Sequence, residues 1–363
     1  MTKRAYTVVL IVPTGIGAAI GGYAGDALPV ARMIAQVCDR LITHPNVLNG
    51  AQLYWNLPNA LYVEGYGLDQ FAAGSWGLRP VHQNRIGLIL DLGIESDLRL
   101  RHLQAADAAR ATLGLNLTEY VITDQPLNVE LKTANSGAAW GTIENPDSLL
   151  RAADQLIHKA GATAIAVVAR FPDDCGSQAL QNYRHGQGVD PLAGAEAVIS
   201  HLVVRTFQVP CAHAPALLPL PLDAELSPRS AAEELGFTFL PCVLVGLSRA
   251  PQFITRNILS TAQSRDVWAD QVDAIVIPAT ACGGSAVMSL SQSNAKIIAV
   301  RENYTQMQVP PESLGIDAIS VNSYLEALGV LVCDRAGIDF NALNPAIAPL
   351  RCLEDSMIES IVH

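Results

Sequence analysis

Short apolar runs recur along the chain and alternate with stretches rich in alanine and leucine. Residues 6–13, 85–92, 163–171 and 272–279 are runs rich in Val, Ile, Leu and Ala. Apolar and polar residues do not alternate in these runs, which is typical of strands buried on both faces of a parallel sheet. Helical stretches bounded by Gly, Pro or Asn lie between most of them.

Strands and helices therefore alternate over most of the length. We predict helices over residues 26–41, 95–113, 145–159, 191–207, 230–235 and 324–336, and further strands over 118–123, 128–133, 240–245, 296–300 and 318–321. A proline-rich stretch at 210–221 is predicted as a loop. This order predicts an α/β fold with mostly parallel sheets, helices on both faces and two lobes, similar to a Rossmann fold.

The polar segment 172–188 interrupts this pattern. It is rich in glycine and polar residues and has few apolar ones. We therefore predict an N-terminal α/β domain over residues 1–171, which carries a glycine-rich loop. Residues 172–188 are predicted to form a linker or mobile loop. Residues 189–363 are predicted to form a C-terminal α/β domain with a Cys-Gly-Gly loop.

The composition is unusually apolar for a chain of 363 residues. Hydrophobic residues make up 50% and charged residues only 16%, and the mean hydropathy is +0.25. A membrane span needs about 20 consecutive apolar residues, whereas the run at 8–20 is interrupted by Pro13, Thr14, Gly15 and Gly17. We expect no membrane segment and no signal peptide. The apolar excess is assigned to buried strands and to a homo-oligomer interface.

Charge and cysteine content narrow the class of partner. The net charge is −11 and the four lysines are scattered, so we expect no nucleic-acid partner. The seven cysteines are widely separated and include no C-x-x-C pair. This spacing is unlike a disulfide framework or a zinc ribbon. The expected location is the cytoplasm, and the expected partner is a small-molecule ligand.

A glycine-rich turn follows the first predicted strand and precedes a helix. Residues 13–22 read Pro-Thr-Gly-Ile-Gly-Ala-Ala-Ile-Gly-Gly, and backbone N–H groups at such a turn can bind an anion. The spacing departs from the G-x-G-x-x-G of dinucleotide folds, so the cofactor stays unknown. The alternative is a tight turn that needs positive φ angles. The predicted ligand contacts are Thr14, Gly15, Gly17, Gly21 and Gly22.

A second turn of this kind carries the leading nucleophile. Cys282 lies between the strand at 273–277 and a helix that begins at Gly284. A helix N-terminus lowers the pKa of a thiol, so Cys282 is predicted as a nucleophile or base. The alternative is a small buried cysteine. The predicted ligand contacts beside it are Gly283, Gly284 and Ser285.

Polar groups after two other strands are predicted to complete the site. His44, Asn46 and Asn49 follow the first helix and can converge on the polar edge of a ligand, with His44 as the proton partner of Cys282. The alternatives are ordinary turn residues and a structural histidine. Arg301 ends a strand at the same edge and is predicted to bind a carboxylate or phosphate. Its alternative is a surface ion pair with Glu302.

The remaining candidates are possible metal ligands. His201, Cys211 and His213 lie near Asp190 and Glu196 in the sequence, and Cys-x-His can ligate a metal. The paired spacing of a zinc site is absent, so no metal is assigned. His213 is also the alternative proton partner for Cys282.

Four longer strings carry a resemblance to a known family. They are residues 12–18 (Val-Pro-Thr-Gly-Ile-Gly-Ala), 43–49 (Thr-His-Pro-Asn-Val-Leu-Asn), 188–196 (Gly-Val-Asp-Pro-Leu-Ala-Gly-Ala-Glu) and 300–303 (Val-Arg-Glu-Asn). The sequence resembles, over nearly its whole length, a conserved protein family of unknown function that is widespread in cyanobacteria. The resemblance implies a cytosolic protein of a photosynthetic bacterium. It implies no activity, cofactor or catalytic residue.

The motifs lead to a hypothesis about function. We expect an enzyme that acts on a small anionic metabolite held by the loops at 14–22 and 282–285, with Arg301 binding the anion. The alternative is a non-catalytic small-molecule-binding or assembly protein that uses the same loops. A metalloenzyme based on His201, Cys211 and His213 is a third possibility.

Overall fold

The computed structural model describes residues 4–173, 177–234, 240–256 and 263–350. Its strands form two parallel sheets and two antiparallel pairs. Helices cover both faces of the parallel sheets, and buried side chains fill the space on each side. The prediction of an α/β fold with mostly parallel sheets and two lobes is confirmed. Within the described ranges, no helix is long and apolar enough to cross a membrane.

The larger sheet has six strands, all parallel, in the order β14-β13-β12-β1-β2-β3. Counted in the order in which they enter this sheet, the strands run 3-2-1-4-5-6, which is the doubly wound order. The direction of winding reverses between β1 and β12, and ligands of such sheets bind at the carboxyl ends of the strands beside this point. The strands are β1 (Thr7–Leu10), β2 (Arg40–Thr43), β3 (Ala60–Tyr62), β12 (Ala274–Pro278), β13 (Lys296–Val300) and β14 (Ala318–Val321).

The smaller sheet has four parallel strands in the order β10-β9-β5-β6. Two antiparallel pairs, β4 with β11 and β7 with β8, complete the strands. The four-stranded sheet contains β5 (Ile86–Leu90), β6 (Leu117–Ile122), β9 (Ala164–Arg170) and β10 (Cys211–Ala216). The antiparallel pairs contain β4 (Trp76–Arg79), β7 (Val129–Thr133), β8 (Ala139–Ile143) and β11 (Gln252–Thr255).

The helices connect the strands and cover the sheets. The α-helices are α1 (Leu28–Ala35), α2 (Pro45–Leu48), α3 (Ala51–Tyr54), α4 (Gly65–Ala72), α5 (Ser96–Leu113), α6 (Pro146–His158), α7 (Gln178–Arg184), α8 (Ala193–Phe207), α9 (Pro228–Ala232), α10 (Leu240–Ser248), α11 (Ser285–Leu290) and α12 (Tyr324–Ala336). Short 3-10 helices cover Ala269–Gln271, Pro311–Leu314 and Phe340–Leu343.

Helix α10 lies between the two sheets, and the strand predicted at 240–245 is therefore wrong. Leu240, Val243 and Leu244 are at most 1% exposed and join strands of both sheets in one core cluster. A helix that is buried on all sides has no polar face, so its sequence lacks a 3.6-residue period. A short apolar run does not distinguish such a helix from a buried strand.

Two other element predictions need correction. The helix predicted at 26–41 is two elements, α1 and β2, because Leu41 and Ile42 pair in register with β1 and are fully buried. Asp26 does not cap this helix, and its carboxylate forms an ion pair with Arg229 at 2.7 Å. The loop predicted at 210–221 contains β10, an edge strand, where a proline such as Pro215 is tolerated.

The segment 172–188 does not divide the chain into two sheets. Each parallel sheet takes strands from both sides of it, so the chain begins in one lobe, builds the other and then returns. Part of the segment is helix α7, whose last residue Arg184 is buried and forms an ion pair with Glu234 at 2.8 Å. Residues 174–176 of this predicted linker lie outside the described ranges.

A cavity lined by acids and histidines

A cavity of about 450 Å³ lies where the strands β1, β2 and β12 end. This is the place where the doubly wound order predicts a ligand. Thr14 after β1, His44 after β2 and Ala281 after β12 line it on one side. Helix α8 and strand β10 of the smaller sheet line the opposite side, so both lobes contribute to one site.

Acidic side chains dominate the charge of this cavity. Across the described part of the chain, no lysine or arginine lines it. Such a lining disfavours an anionic ligand, because five carboxyl groups would repel it. The anionic metabolite expected from the loops therefore receives no support from the lining. The acids are Glu64, Asp69, Asp190, Glu196 and Glu233.

Asp190 and Glu233 are two buried acids of the cavity, and the pKa of each is raised. Burial raises the pKa of Asp190 well above its usual range, and the charges of Glu233 and Glu196 raise it further. Burial also raises the pKa of Glu233 to about 7, and the charge of Glu196 contributes. Carboxylates that share a site cannot all ionise at low cost, so this pair retains a proton near neutral pH.

Residues of α8 connect two further acids of the cavity, Glu64 and Glu196, to histidines. His213 Nδ1 lies 3.2 Å from the Ser200 hydroxyl, and His213 Nε2 lies 3.6 Å from a Glu196 carboxylate oxygen. The Ser200 hydroxyl is also 3.4 Å from Glu64, whose same oxygen lies 2.5 Å from His201 Nδ1. A hydroxyl thus links two imidazole–carboxylate pairs in one continuous polar network.

The partners of Glu64 also fix the charge of His201. Glu64 is the N-cap of α4, and its carboxylate accepts from the N–H groups of Tyr66 and Gly67. Burial lowers the pKa of His201, but the adjacent Glu64 carboxylate more than offsets this and the pKa is raised. Glu64 and His201 therefore behave as an ion pair in the cavity wall.

His44 is placed in the cavity wall, but it does not fit the predicted role of a base. Its Nε2 accepts a hydrogen bond from the Val12 N–H at 3.0 Å, so its proton is on Nδ1. Burial lowers the pKa of His44 to about 4. The imidazole is therefore neutral near pH 7, and the nitrogen that would accept a proton is already occupied.

The glycines of the first turn serve its conformation. Gly15, Gly17 and Gly21 have φ angles of 72°, 63° and 90°, where other residues are strained. A Cβ on Gly22 would lie 2.3 Å from the carbonyl oxygen of Ala18. None of these four glycines lines the described wall of the cavity, whereas Thr14 does.

The backbone N–H groups of this turn already have partners. The Ala19 N–H donates to the carbonyl of Tyr304, and the Ile20 N–H donates to the side chain of Asn303. An anion would have to displace these bonds. The predicted anion contacts at Gly15, Gly17, Gly21 and Gly22 are therefore not supported, and the alternative of a conformational requirement explains them.

Cys282 is not a nucleophile of this cavity. Its side chain is 0% exposed and lies in the core beneath the larger sheet, and it is not part of the described cavity wall. Burial raises the pKa of the thiol to about 11, with a smaller contribution from Glu312. Gly284 and Ser285 do line the cavity, while Gly283 does not.

The other predicted contacts divide into two groups. Asn46 and Asn49 line the cavity, as expected. Their amides also bind the protein, since Asn46 donates to the Gly21 carbonyl and Asn49 accepts from Tyr62. Arg301 is exposed and donates to Asn322, and it does not reach the cavity. It acts as a surface group, although its partner differs from the Glu302 of the alternative.

The metal candidates are separated in the structure. His201 and His213 both line the cavity, whereas Cys211 is buried outside it at 1% exposure. In the residues that the structure covers, no group of three or more His, Cys, Asp or Glu is arranged to hold a metal ion. Asp69, Ser200 and Glu233 also line the cavity and were not predicted, since none of them belongs to a recognisable motif in the sequence.

Comparisons with known proteins identify the family. The profile of the family described as "Protein of unknown function (DUF3326)" matches residues 7–344. The chain belongs to this family. It is also 62% identical over 357 residues to an uncharacterized lipoprotein of Synechococcus sp., with 98% of each chain covered. No solved structure matches.

The family match confirms the resemblance to a cyanobacterial family of unknown function. The relative's description as a lipoprotein differs from the cytoplasmic location expected from composition. Neither finding tests the predicted small-molecule ligand, the homo-oligomer or the absence of a nucleic-acid partner, and these stay predictions.

Proposed function

We propose that this protein is an enzyme that transfers protons to and from a small metabolite held in the acidic cavity. The observation that carries the proposal is the pair of Asp190 and Glu233 in the cavity wall, where the loop that follows β1 donates the Ala24 N–H to Glu233. A carboxyl group with a pKa near the working pH is an effective general acid, because it donates and regains a proton at small cost.

Glu233 is the proposed general acid. The hydroxyl of Tyr183 and the N–H of Ala24 both donate to its Oε2, which fixes the carboxyl group at the edge of the cavity. Its pKa of about 7 leaves it close to half protonated at neutral pH. The charge of Glu196 also raises this pKa. Asp190 is held in position by the N–H of Leu192.

His213 is the proposed base. Its two ring nitrogens lie near Ser200 and Glu196, so the acid can orient the ring and stabilise the imidazolium that forms. The ring is partly buried and lines the same cavity as Glu233. An acid and a base on one cavity wall can exchange protons with two positions of one bound molecule.

The test is turnover of an unknown substrate in a complex mixture. Purified protein is incubated with a small-molecule extract of cyanobacterial cells, and mass spectrometry records which compounds are consumed or formed. We expect at least one conversion, slowed roughly 100-fold or more by Glu233→Gln. The matched control is Glu225→Gln, since Glu225 is an exposed acid before the same helix. An extract that stays unchanged, or equal conversion by Glu233→Gln, would contradict the proposal.

A non-catalytic binding protein is the second candidate. It is favoured by the burial of Cys282, because the cavity then offers no nucleophilic thiol. Such a protein would retain a compound from the same extract and release it unchanged. Recovery of an intact compound by native mass spectrometry, without any conversion, would select this candidate.

We also propose a cytoplasmic location. The five cysteines described as free, at positions 38, 211, 242, 282 and 333, are all buried thiols. A reducing compartment maintains free thiols. The relative's description as a lipoprotein applies to that protein.

A further inference from the structure

Among the residues that the structure describes, no lysine or arginine lines the acidic cavity. Two arginines lie near its acids, but both are committed elsewhere. Arg229 pairs with Asp26 at 2.7 Å, and Arg184 pairs with Glu234 at 2.8 Å. Neither arginine belongs to the described cavity wall. In the described part of the wall, the groups that can carry a positive charge are histidines, of which His201 already pairs with Glu64.

His44 adds an independent indication of a ligand. The side chain is 8% exposed and lines the cavity. Its Nε2 is satisfied by Val12, which leaves Nδ1–H as a donor. Within the described ranges, this N–H group donates no hydrogen bond to the protein. A buried polar group in a cavity wall normally finds a partner, so the bound molecule is expected to supply an acceptor.

We propose that the cavity binds a small metabolite with a positively charged amino group held by Asp190, Glu196 and Glu233, and with a hydrogen-bond acceptor for His44. This inference rests on the proposed function and gives its substrate class. The ammonium group replaces the proton that the carboxyl groups share, because three carboxylates are stabilised better by a bound cation than by one proton. His44 Nδ1–H then donates to a carbonyl or hydroxyl oxygen of the same molecule.

Replacement of a proton by a cation couples binding to pH. The groups around Glu233 come from several elements, and their charges act on the same titration. These groups are Tyr23, Asp26, Tyr183, Asp190, Glu196 and Arg229. Each proton released on binding makes the affinity about tenfold higher for each pH unit of increase below the pKa of the released group. Above that pKa the group is already ionised in the free protein, and the affinity no longer changes with pH.

Three probes with the same four-carbon chain separate the charge of the ligand from its size. They are butane-1,4-diamine, butane-1,4-diol and succinate, which are cationic, neutral and anionic. Isothermal titration calorimetry in two buffers of different ionisation enthalpy gives both the affinity and the number of protons released. We expect the diamine to bind at least tenfold more tightly than the diol and to release a proton at pH 6.5. Succinate should bind more weakly than either.

Variants of the cavity acids show which residues release the proton when the diamine binds. In Glu233→Gln and in Asp190→Asn, proton release should fall and the pH dependence of diamine binding should flatten, while Glu225→Gln should behave as the wild type. Circular dichroism establishes that each variant is folded. Tighter binding of succinate than of the diamine, no diamine binding in the millimolar range, or diamine binding without proton release would each overturn the proposal.

The outcome is separable from that of the proposed function. If a compound in the extract is converted by a Glu233-dependent reaction but the cavity prefers succinate, the proposal of an enzyme is supported and the proposal of an amine ligand is contradicted. If the diamine binds with proton release but no compound is converted, the proposal of an amine site is supported and the proposal of an enzyme is contradicted.

Discussion

Replacing Glu233 with glutamine should remove a fall of about 2 kcal/mol in the free energy of unfolding that the wild type shows between pH 5 and pH 8. Burial raises the pKa of Glu233 to about 7 in the folded chain, compared with about 4.3 in an unfolded chain. The folded state therefore binds more protons than the unfolded state in this interval. Its stabilising contribution is complete below the unfolded pKa and is lost as the pH rises through 7.

Glutamine is neutral and can still accept from Tyr183, so the variant should keep the contact and lose the titration. The free energy is measured by chemical unfolding at a series of pH values, with Glu225→Gln as the control. The contribution of His44 to the free energy of unfolding changes with pH in the opposite direction. Its pKa is lowered to about 4, so this contribution reduces stability only as the pH falls below about 6.5. Identical pH profiles for the wild type and Glu233→Gln would show that this carboxyl group does not retain a proton.

The substitution Gly194→Ala should destabilise the protein by about 3 kcal/mol. Gly194 lies in the first turn of α8, and a Cβ there would be 2.3 Å from both the carbonyl oxygen of Ala139 and the Cα of Trp140. These are backbone atoms of β8, so the hairpin formed by β7 and β8 would have to move away from α8. The midpoint of unfolding in urea measures the loss.

The same substitution at Gly329 provides the control. Gly329 lies inside α12, and nothing is within 4 Å of the position of a Cβ. Alanine there should stabilise the helix by about 0.5–1 kcal/mol, because it restricts the unfolded chain more than glycine does. Opposite signs for two helical glycines are the expected result. A Gly194→Ala variant as stable as the wild type would mean that β8 does not pack against α8 at this distance.

The sheet architecture could be predicted from the sequence because buried parallel strands leave a direct signal. The runs at 6–13, 163–171 and 272–279 contain β1, β9 and β12. Helix α10 could not be predicted, because burial between two sheets removes the polar face that marks a helix. The return of the chain to the larger sheet after residue 273 depends on pairing between β1 and β12, which no local pattern encodes.

Only part of the site could be predicted from the sequence, and there is a physical reason why the rest could not. Thr14, His44, Asn46, Asn49, Gly284 and Ser285 line the cavity because they follow strands of one parallel sheet. The acids of the cavity were not predicted to lie in one site, because Glu64, Glu196 and Glu233 are distant in sequence. They meet only when the two lobes pack together. The raised pKa of Glu233 depends on that packing. The glycines of the first turn were predicted as ligand contacts, but positive φ angles account for Gly15, Gly17 and Gly21, and a close backbone approach accounts for Gly22.

The central claim is that Asp190 and Glu233 retain a proton in the cavity at neutral pH. Infrared spectroscopy tests this directly, because a protonated carboxyl group has a carbonyl stretch that a carboxylate lacks. The difference spectrum between the wild type and Glu233→Gln at pH 7 should contain this band, shifted in D2O and lost at pH 9. A spectrum without the band at pH 7 would show that Glu233 is ionised and would contradict the proposed role of this carboxyl group.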